Sequence, residues 1–213
     1  AALRALEPDL VGLQEVDRGA ERSGGVDQAT ELGRSLGMTP LFGAFMEYQG
    51  GEYGMGMLSR YPVVRSWSIP LPEGNEPRVA LAAEIALPEG DTLVAVNVHF
   101  DWVDDDGFRF AQASTLAAVL DTLSHRWILL GDFNDEPGSR TLGLFQSRAL
   151  EADKPMDDSF TFSSDDPRKE IDFIFAAPAG AWGVGEARVV DERPTSDHRP
   201  VLAVLERNGG GGR

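Results

Sequence analysis

The amino-acid sequence predicts an α+β or layered α/β fold, β-rich with helices inserted at intervals. Three observations carry that reading. Short β-like runs recur along the 213 residues, apolar residues fall at helical spacing in stretches between them, and no internal repeat or linker divides the chain. One domain is expected over residues 1–206, with the Gly-rich end, 207–213, as a flexible tail.

In chain order, strands are expected at 10–16, 55–59, 79–87, 92–100, 127–131, 171–176, 184–190 and 201–205. Some alternate polar with apolar residues, as half-buried strands do, and others are continuously apolar, as central strands are. Ala29, Leu32 and Leu36 mark a helix, with Gly37 placed to stop it. Leu116, Val119, Leu120 and Leu123 fall at i, i+3, i+4 and i+7, so an amphipathic helix follows the loop DWVDDDGF at 101–108. A short third helix is expected over 141–146, after the Pro137-Gly138 turn.

Composition narrows the function. There is no cysteine, which excludes disulfides and thiolate metal sites. The formal charge is -16 and Lys154 and Lys169 are the only lysines, so extended nucleic acid is a disfavoured partner. No apolar run approaches the roughly 18 residues of a membrane span. The opening AALRALEPDL lacks the basic and apolar regions of a signal peptide, and the expected state is a cytoplasmic monomer.

Polar residues gather at the ends of the expected strands: Glu15 after PDLVGL, Asn97 and His99 in VAVNVHF, Asp132 and Asn134 in GDFN, Asp172 in EIDFIF, and Asp197-His198 before RPVLAVL. Each has a plainer reading. Glu15 suits a solvated turn, His99 and Asp172 suit satisfied buried groups, and Asp197-His198 suits an Asx-type turn before Pro200. GDFN resists that reading, because residues i and i+2 of a strand share a face and two polar groups directly after the apolar Trp127, Ile128, Leu129 and Leu130 are costly to desolvate. Together the clusters supply acidic oxygens, two histidines and no sulfur, a donor set suited to Mg²⁺ or Mn²⁺.

LQEV at 13–16, GMGMLSRYPV at 54–63, VNVHF at 96–100, GDFN at 131–134, FTF at 160–162, IDFIF at 171–175 and SDHRPV at 196–201, in this order, resemble the endonuclease/exonuclease/phosphatase family over nearly the whole chain. The resemblance implies a deoxyribonuclease I-like four-layer α/β/β/α sandwich: two packed, mainly antiparallel sheets flanked by helices, with the site at one edge of both. It also implies Mg²⁺-dependent hydrolysis of a phosphate ester. Carried over by position, Glu15 is the principal metal ligand and Asp197 a second acidic group near the metal. Asp132 orients or deprotonates the attacking water, and Asn134 binds a phosphate oxygen. His198, held by Asp172, serves as general acid/base or cationic clamp, and His99 is the second histidine at the scissile phosphate. Family members open on a strand ending in a metal-binding asparagine, whereas this sequence starts inside the helix that follows. A missing first strand, an exposed sheet edge and weak metal affinity are the resulting expectations.

Substrate choice lies in loops. Asp101, Asp104, Asp105 and Asp106 follow His99 and are expected to place negative potential beside the site, favouring a small nucleotide, sugar phosphate or lipid head group over duplex DNA. Arg22, Arg60 and Asn97 are the expected substrate contacts. Trp102 is either a stacking surface or a loop residue tucked against the core. A metal-dependent endo/exonuclease and a catalytically impaired binding domain are the alternative readings.

Overall fold

The computed structural model describes residues 2–208. In order, its elements are α1 (Ala2–Leu6), β1 (Leu10–Arg18), α2 (Gln28–Leu36), β2 (Thr39–Tyr48), β3 (Gly51–Ser59), β4 (Val63–Pro70), β5 (Val79–Ala86), β6 (Thr92–His99), α3 (Gly107–Leu120), β7 (Arg126–Asp132), α4 (Arg140–Gln146), β8 (Leu150–Glu151), β9 (Asp172–Ala177), β10 (Trp182–Val189) and β11 (Val201–Arg207). Helix α3 begins inside the expected loop, at Gly107, and ends at Leu120, before the expected Leu123. Arg207 closes β11 opposite Trp182, so the last strand runs into the expected tail, and 209–213 lie outside the described residues.

Six strands form one sheet in the order β4-β5-β6-β7-β9-β8, antiparallel except where β6 meets β7. Two smaller antiparallel sheets, β1-β3-β2 and β10-β11, lie against it. β2 contacts β4 and β5, β3 contacts β5 and β6, β1 contacts β6 and β7, and β11 contacts β9. Among the described residues β1 pairs only with β3 and β11 only with β10, so each leaves one edge without a strand.

The layers follow from side-chain alternation. On β6, Val94, Val96 and Val98 pack with Leu116 and Leu120 of α3 and Phe145 of α4, while Ala95 joins Met55 and Met57 of β3 and Leu81 of β5 on the other face. A strand buried on both faces reads as a continuous apolar run. Helix α2 covers the outer face of the three-stranded sheet through Leu32 and Leu36 on Val11 and Leu58. It starts at Asp27, whose carboxylate accepts from Thr30 N, and ends on Gly37 in the left-handed region. The result is the four-layer sandwich. No helix among the described residues is long and apolar enough to cross a membrane.

One side chain ties the two sheets together. Asn97 is fully buried; its amide donates to Leu13 O (2.9 Å) and Gly56 O (2.8 Å), and its Oδ1 accepts from Gln14 Nε2 (2.7 Å). Its hydrogen bonds are spent inside the sandwich, so Asn97 is a structural lock rather than the expected substrate contact. The approach is so close that a Cβ on Gly12 would collide with Leu130 and Asn97. Asn97→Ala, which leaves those buried groups unpaired, is expected to destabilise the fold by about 3 kcal/mol in urea unfolding. A loss below about 1 kcal/mol would show that packing alone holds the sheets.

Candidate active site

Strand register assembles the site. His99 on β6 lies opposite Asp132 on β7, and Asp132 lies opposite Asp172 on β9, so three titratable groups stand in one row at the sheet edge. His198 reaches the row from the segment before β11, which bridges to the backbone of Phe162. Its Nδ1 sits 2.9 Å from Asp172 Oδ2 and its Nε2 3.8 Å from Asp132 Oδ2. Asp132, Asp172 and His198 each offer an atom within 4.8 Å of the others.

The alternation of GDFN sorts its side chains between the core and the cavity. Gly131 adopts a φ of +136°, where a Cβ would collide with Val98 O. Phe133 points inward, with its ring centroid 5.5 Å from that of Phe100 and 5.4 Å from that of Phe175. That anchor holds Asp132 at the surface of the core. Asn134 leaves the strand at a φ of +50° and turns back on Asp132. Its N–H donates to Asp132 Oδ1 (2.7 Å), and its amide donates to Phe100 O (3.0 Å) and Asp132 Oδ2 (3.2 Å). With both amide hydrogens engaged, Asn134 positions Asp132 rather than presenting a free donor to phosphate.

Electrostatics separates the two histidines. Asp172 hydrogen-bonds His198, and although burial opposes its charge, that bond and the charges of Asp172, Asp132 and Asp197 raise its pKa to about 9. His99 is pushed well below the usual histidine value by burial, then by the charges of Arg78 and His198. Arg78 Nη1 lies 3.2 Å from His99 Nδ1, and since arginine only donates, the imidazole proton belongs on Nε2, 3.4 Å from Asp132 Oδ2. Asp132 is raised well above the carboxylate range by burial and then by the like charge of Asp172.

Glu15 projects from a bulge in β1 between Leu13 and Val16, at a left-handed φ of +57° that costs a non-glycine residue about 1–3 kcal/mol. Its carboxylate is 60% exposed, with Oε1 4.0 Å from His99 Nδ1. Glu15, His99, Asp132, Asn134 and His198 line a cavity of about 480 Å³, whose mouth includes Trp102, Asp104, Glu136 and Lys169. A cavity of about 580 Å³ around Asp91, His125 and Arg126, at the opposite ends of β6 and β7, holds no comparable set.

Several expected residues do not converge. Arg22 pairs with Asp17 (2.8 Å) and stacks on Tyr48 and Tyr53, outside the cavity lining. Arg60 donates to Glu7 O (2.6 Å) at the far end of β1 and β3. Asp197 is exposed and does not line the cavity. Asp101 is fully buried, holding Asn75 N (2.6 Å), so it adds no charge to the cavity wall. Two cations that sequence reasoning missed support the row. Arg78 orients His99, and Lys154, with a fully buried side chain, donates to Asp172 O (3.0 Å) and pairs with Glu170 (2.9 Å). Beyond the scarcity of lysine, no sequence signal marks either.

Glu15 and Asp132 offer hard oxygen donors to one cavity and fit a divalent cation, while the Asp172 carboxylate is taken up by His198.

Residues 1–198 match the model of the Endonuclease/Exonuclease/phosphatase family. No curated protein matches. Among solved structures, a conserved protein of unknown function from Enterococcus faecalis superposes with a TM-score of 0.81 at 21% identity, covering 97% of this chain and 88% of that one. An endonuclease/exonuclease/phosphatase from Bacteroides vulgatus gives 0.79 at 24% identity, covering 97% and 88%. A mannosyl-6-phosphatase from Bacteroides thetaiotaomicron gives 0.79 at 18% identity, covering 96% and 88%. At these identities the likeness shows the fold.

The pKa of His198 lies above its unfolded value, so the Asp172 pair contributes fully below about pH 6.5 and fades as pH rises through about 9. In metal-free protein, NMR titration is expected to place the His198 transition near 9 and to return it to 6.5 or lower in Asp172→Asn.

Proposed function

The chain belongs to the endonuclease/exonuclease/phosphatase family, and from that premise we propose that it hydrolyses a compact phosphate ester with the help of Mg²⁺ or Mn²⁺, as one catalytic domain acting as a monomer. The row of His99, Asp132 and Asp172, closed by His198, carries this reading.

The bound cation supplies neutralising charge for the phosphoryl oxygens. Asp132 is a carboxylate when a cation shares the site, and its Oδ2, facing the Nε2 atoms of both histidines, orients the attacking water and accepts its proton. Asn134 fixes the direction of that carboxylate. His198, kept protonated by Asp172, clamps a nonbridging oxygen and donates a proton to the leaving oxygen. Neutral His99 adds an N–H donor whose orientation Arg78 sets.

Charge pairing supports a compact substrate. Among the described residues every arginine except Arg4 lies within ion-pair distance of a carboxylate, and Arg4 donates to Ser35 O. A nucleic-acid backbone needs several cations free to track it. Here Lys169 alone stands at the cavity mouth without an acidic partner among those residues.

A panel of bis-p-nitrophenyl phosphate, p-nitrophenyl phosphate, plasmid DNA and phospholipid, with either cation and with EDTA, tests the proposal. Turnover of a small ester that EDTA abolishes is expected, with kcat reduced about 10³-fold in Asp132→Ala. Plasmid nicking at low protein concentration would reverse the substrate class, turnover surviving Asp132→Ala would remove that residue from its role, and inertness toward all four would favour a binding domain.

A further inference from the structure

We propose that the mouth of the cavity is a subsite for a neutral polyhydroxylated group, which makes the substrate a sugar phosphate whose ring rests on Trp102. The proposal deepens the phosphate-ester reading above and rests on it.

Trp102 is 57% exposed on the cavity wall, whereas Trp127 and Trp182 are each 6% exposed in the core. The segment that holds it out is built with buried polar groups. The Asp101 carboxylate accepts from Asn75 N (2.6 Å) and Val103 N (3.2 Å), and Asp101 N–H donates to Gln112 Oε1 (2.9 Å). Arg109 Nη1 donates to Asp101 O (3.2 Å) and Val103 O (2.8 Å). Three buried polar side chains thus fix a short run whose tryptophan stays in water. Core packing gives no reason for that arrangement, while a flat apolar wall for a ligand does.

The polar groups around the ring match hydroxyls. Asp104 and Glu136 line the mouth without a cation partner among the described residues, while neighbouring Asp106 is taken by Arg140 (2.7 Å). Arg109 Nε and Asp135 Oδ2 lie buried 3.2 Å apart at the cavity, and neither makes a hydrogen bond. A hydroxyl both donates and accepts, so a polyol meets the carboxylates of Asp104 and Glu136 and the ammonium of Lys169 alike. A second phosphate would face Asp104 and Glu136. A quaternary ammonium would face Lys169. The neutral ring fits the mixed wall, with its C–H face on the indole.

Two readouts separate this subsite from the chemistry. Saturation-transfer NMR with methyl α-D-glucopyranoside or choline as probe reads binding without turnover. Kinetics on glucose 6-phosphate, phosphocholine and p-nitrophenyl phosphate reads its contribution to catalysis. Transfer to the glucoside ring protons is expected, and its loss in Trp102→Ala, an exposed position whose change leaves the thermal melt in place. For glucose 6-phosphate, kcat/KM is expected to fall at least about tenfold in Trp102→Ala and in the Asp104→Asn/Glu136→Gln pair, and for p-nitrophenyl phosphate less than about threefold. Equal losses on both esters, stronger transfer to choline, or no transfer to the glucoside while p-nitrophenyl phosphate is hydrolysed would overturn the subsite. Glucoside binding lost in Trp102→Ala, with no ester hydrolysed, would support the subsite and defeat the hydrolase reading alone.

Discussion

A carboxamide sealed between two sheets governs the geometry of everything at the site. Asn97 belongs to β6, two residues before His99, and grips the backbone of β1 and β3 together with Gln14, the neighbour of Glu15. Glu15 comes from one sheet and the His99–Asp132–Asp172 row from the other. Their separation is therefore set by three hydrogen bonds made in a dry interior, where an unmade bond is costly and a made one is directional. Apolar packing of Met55, Met57 and Leu81 brings the sheets together, but it does not specify register. The amide does.

The chemistry of the row comes from an imbalance that the fold maintains. Two carboxylates are held opposite one another with Asp132 deeply buried, and the nearby arginine and lysine are committed elsewhere: Arg78 to His99 and Glu76, Lys154 to the Asp172 carbonyl and Glu170. One histidine is charged because it hydrogen-bonds a carboxylate, and the other is neutral because it is buried against a guanidinium. Two imidazoles with opposite protonation at one sheet edge give a donor of each strength beside the same oxygen.

Much of this was legible in the residues, and the limits have physical causes. The row was readable because strand alternation places Asn97 and His99 on one face and because GDFN interrupts an apolar run. Helix α2 announced itself through its spacing and Gly37. Strands β2 and β4 did not: β2 carries Pro40 and Gly43, and β4 is largely exposed, so neither shows the alternation that marks a half-buried strand. Arg78 and Lys154 support the site from positions whose meaning arises only from long-range pairing. The same holds in reverse for Arg22, Arg60 and Asn97, whose side chains are consumed by local or inter-sheet partners. In the aspartate run, Asp101 turns inward as a loop anchor, while Asp104 remains at the cavity mouth. Composition cannot distinguish those two fates.

The break between the two smaller sheets divides the layer over the six-stranded sheet into two banks. Glu15 rides on one bank of it and His198 on the approach to the other, and among the described residues no ladder of backbone hydrogen bonds spans the gap between β1 and β11. The Asn97 bonds pin the bank that carries Glu15 to the six-stranded floor, while the bank that follows His198 rests on that floor through β11 on β9. The two sides of the cavity are thus anchored by different means, one by buried polar bonds and the other by strand packing.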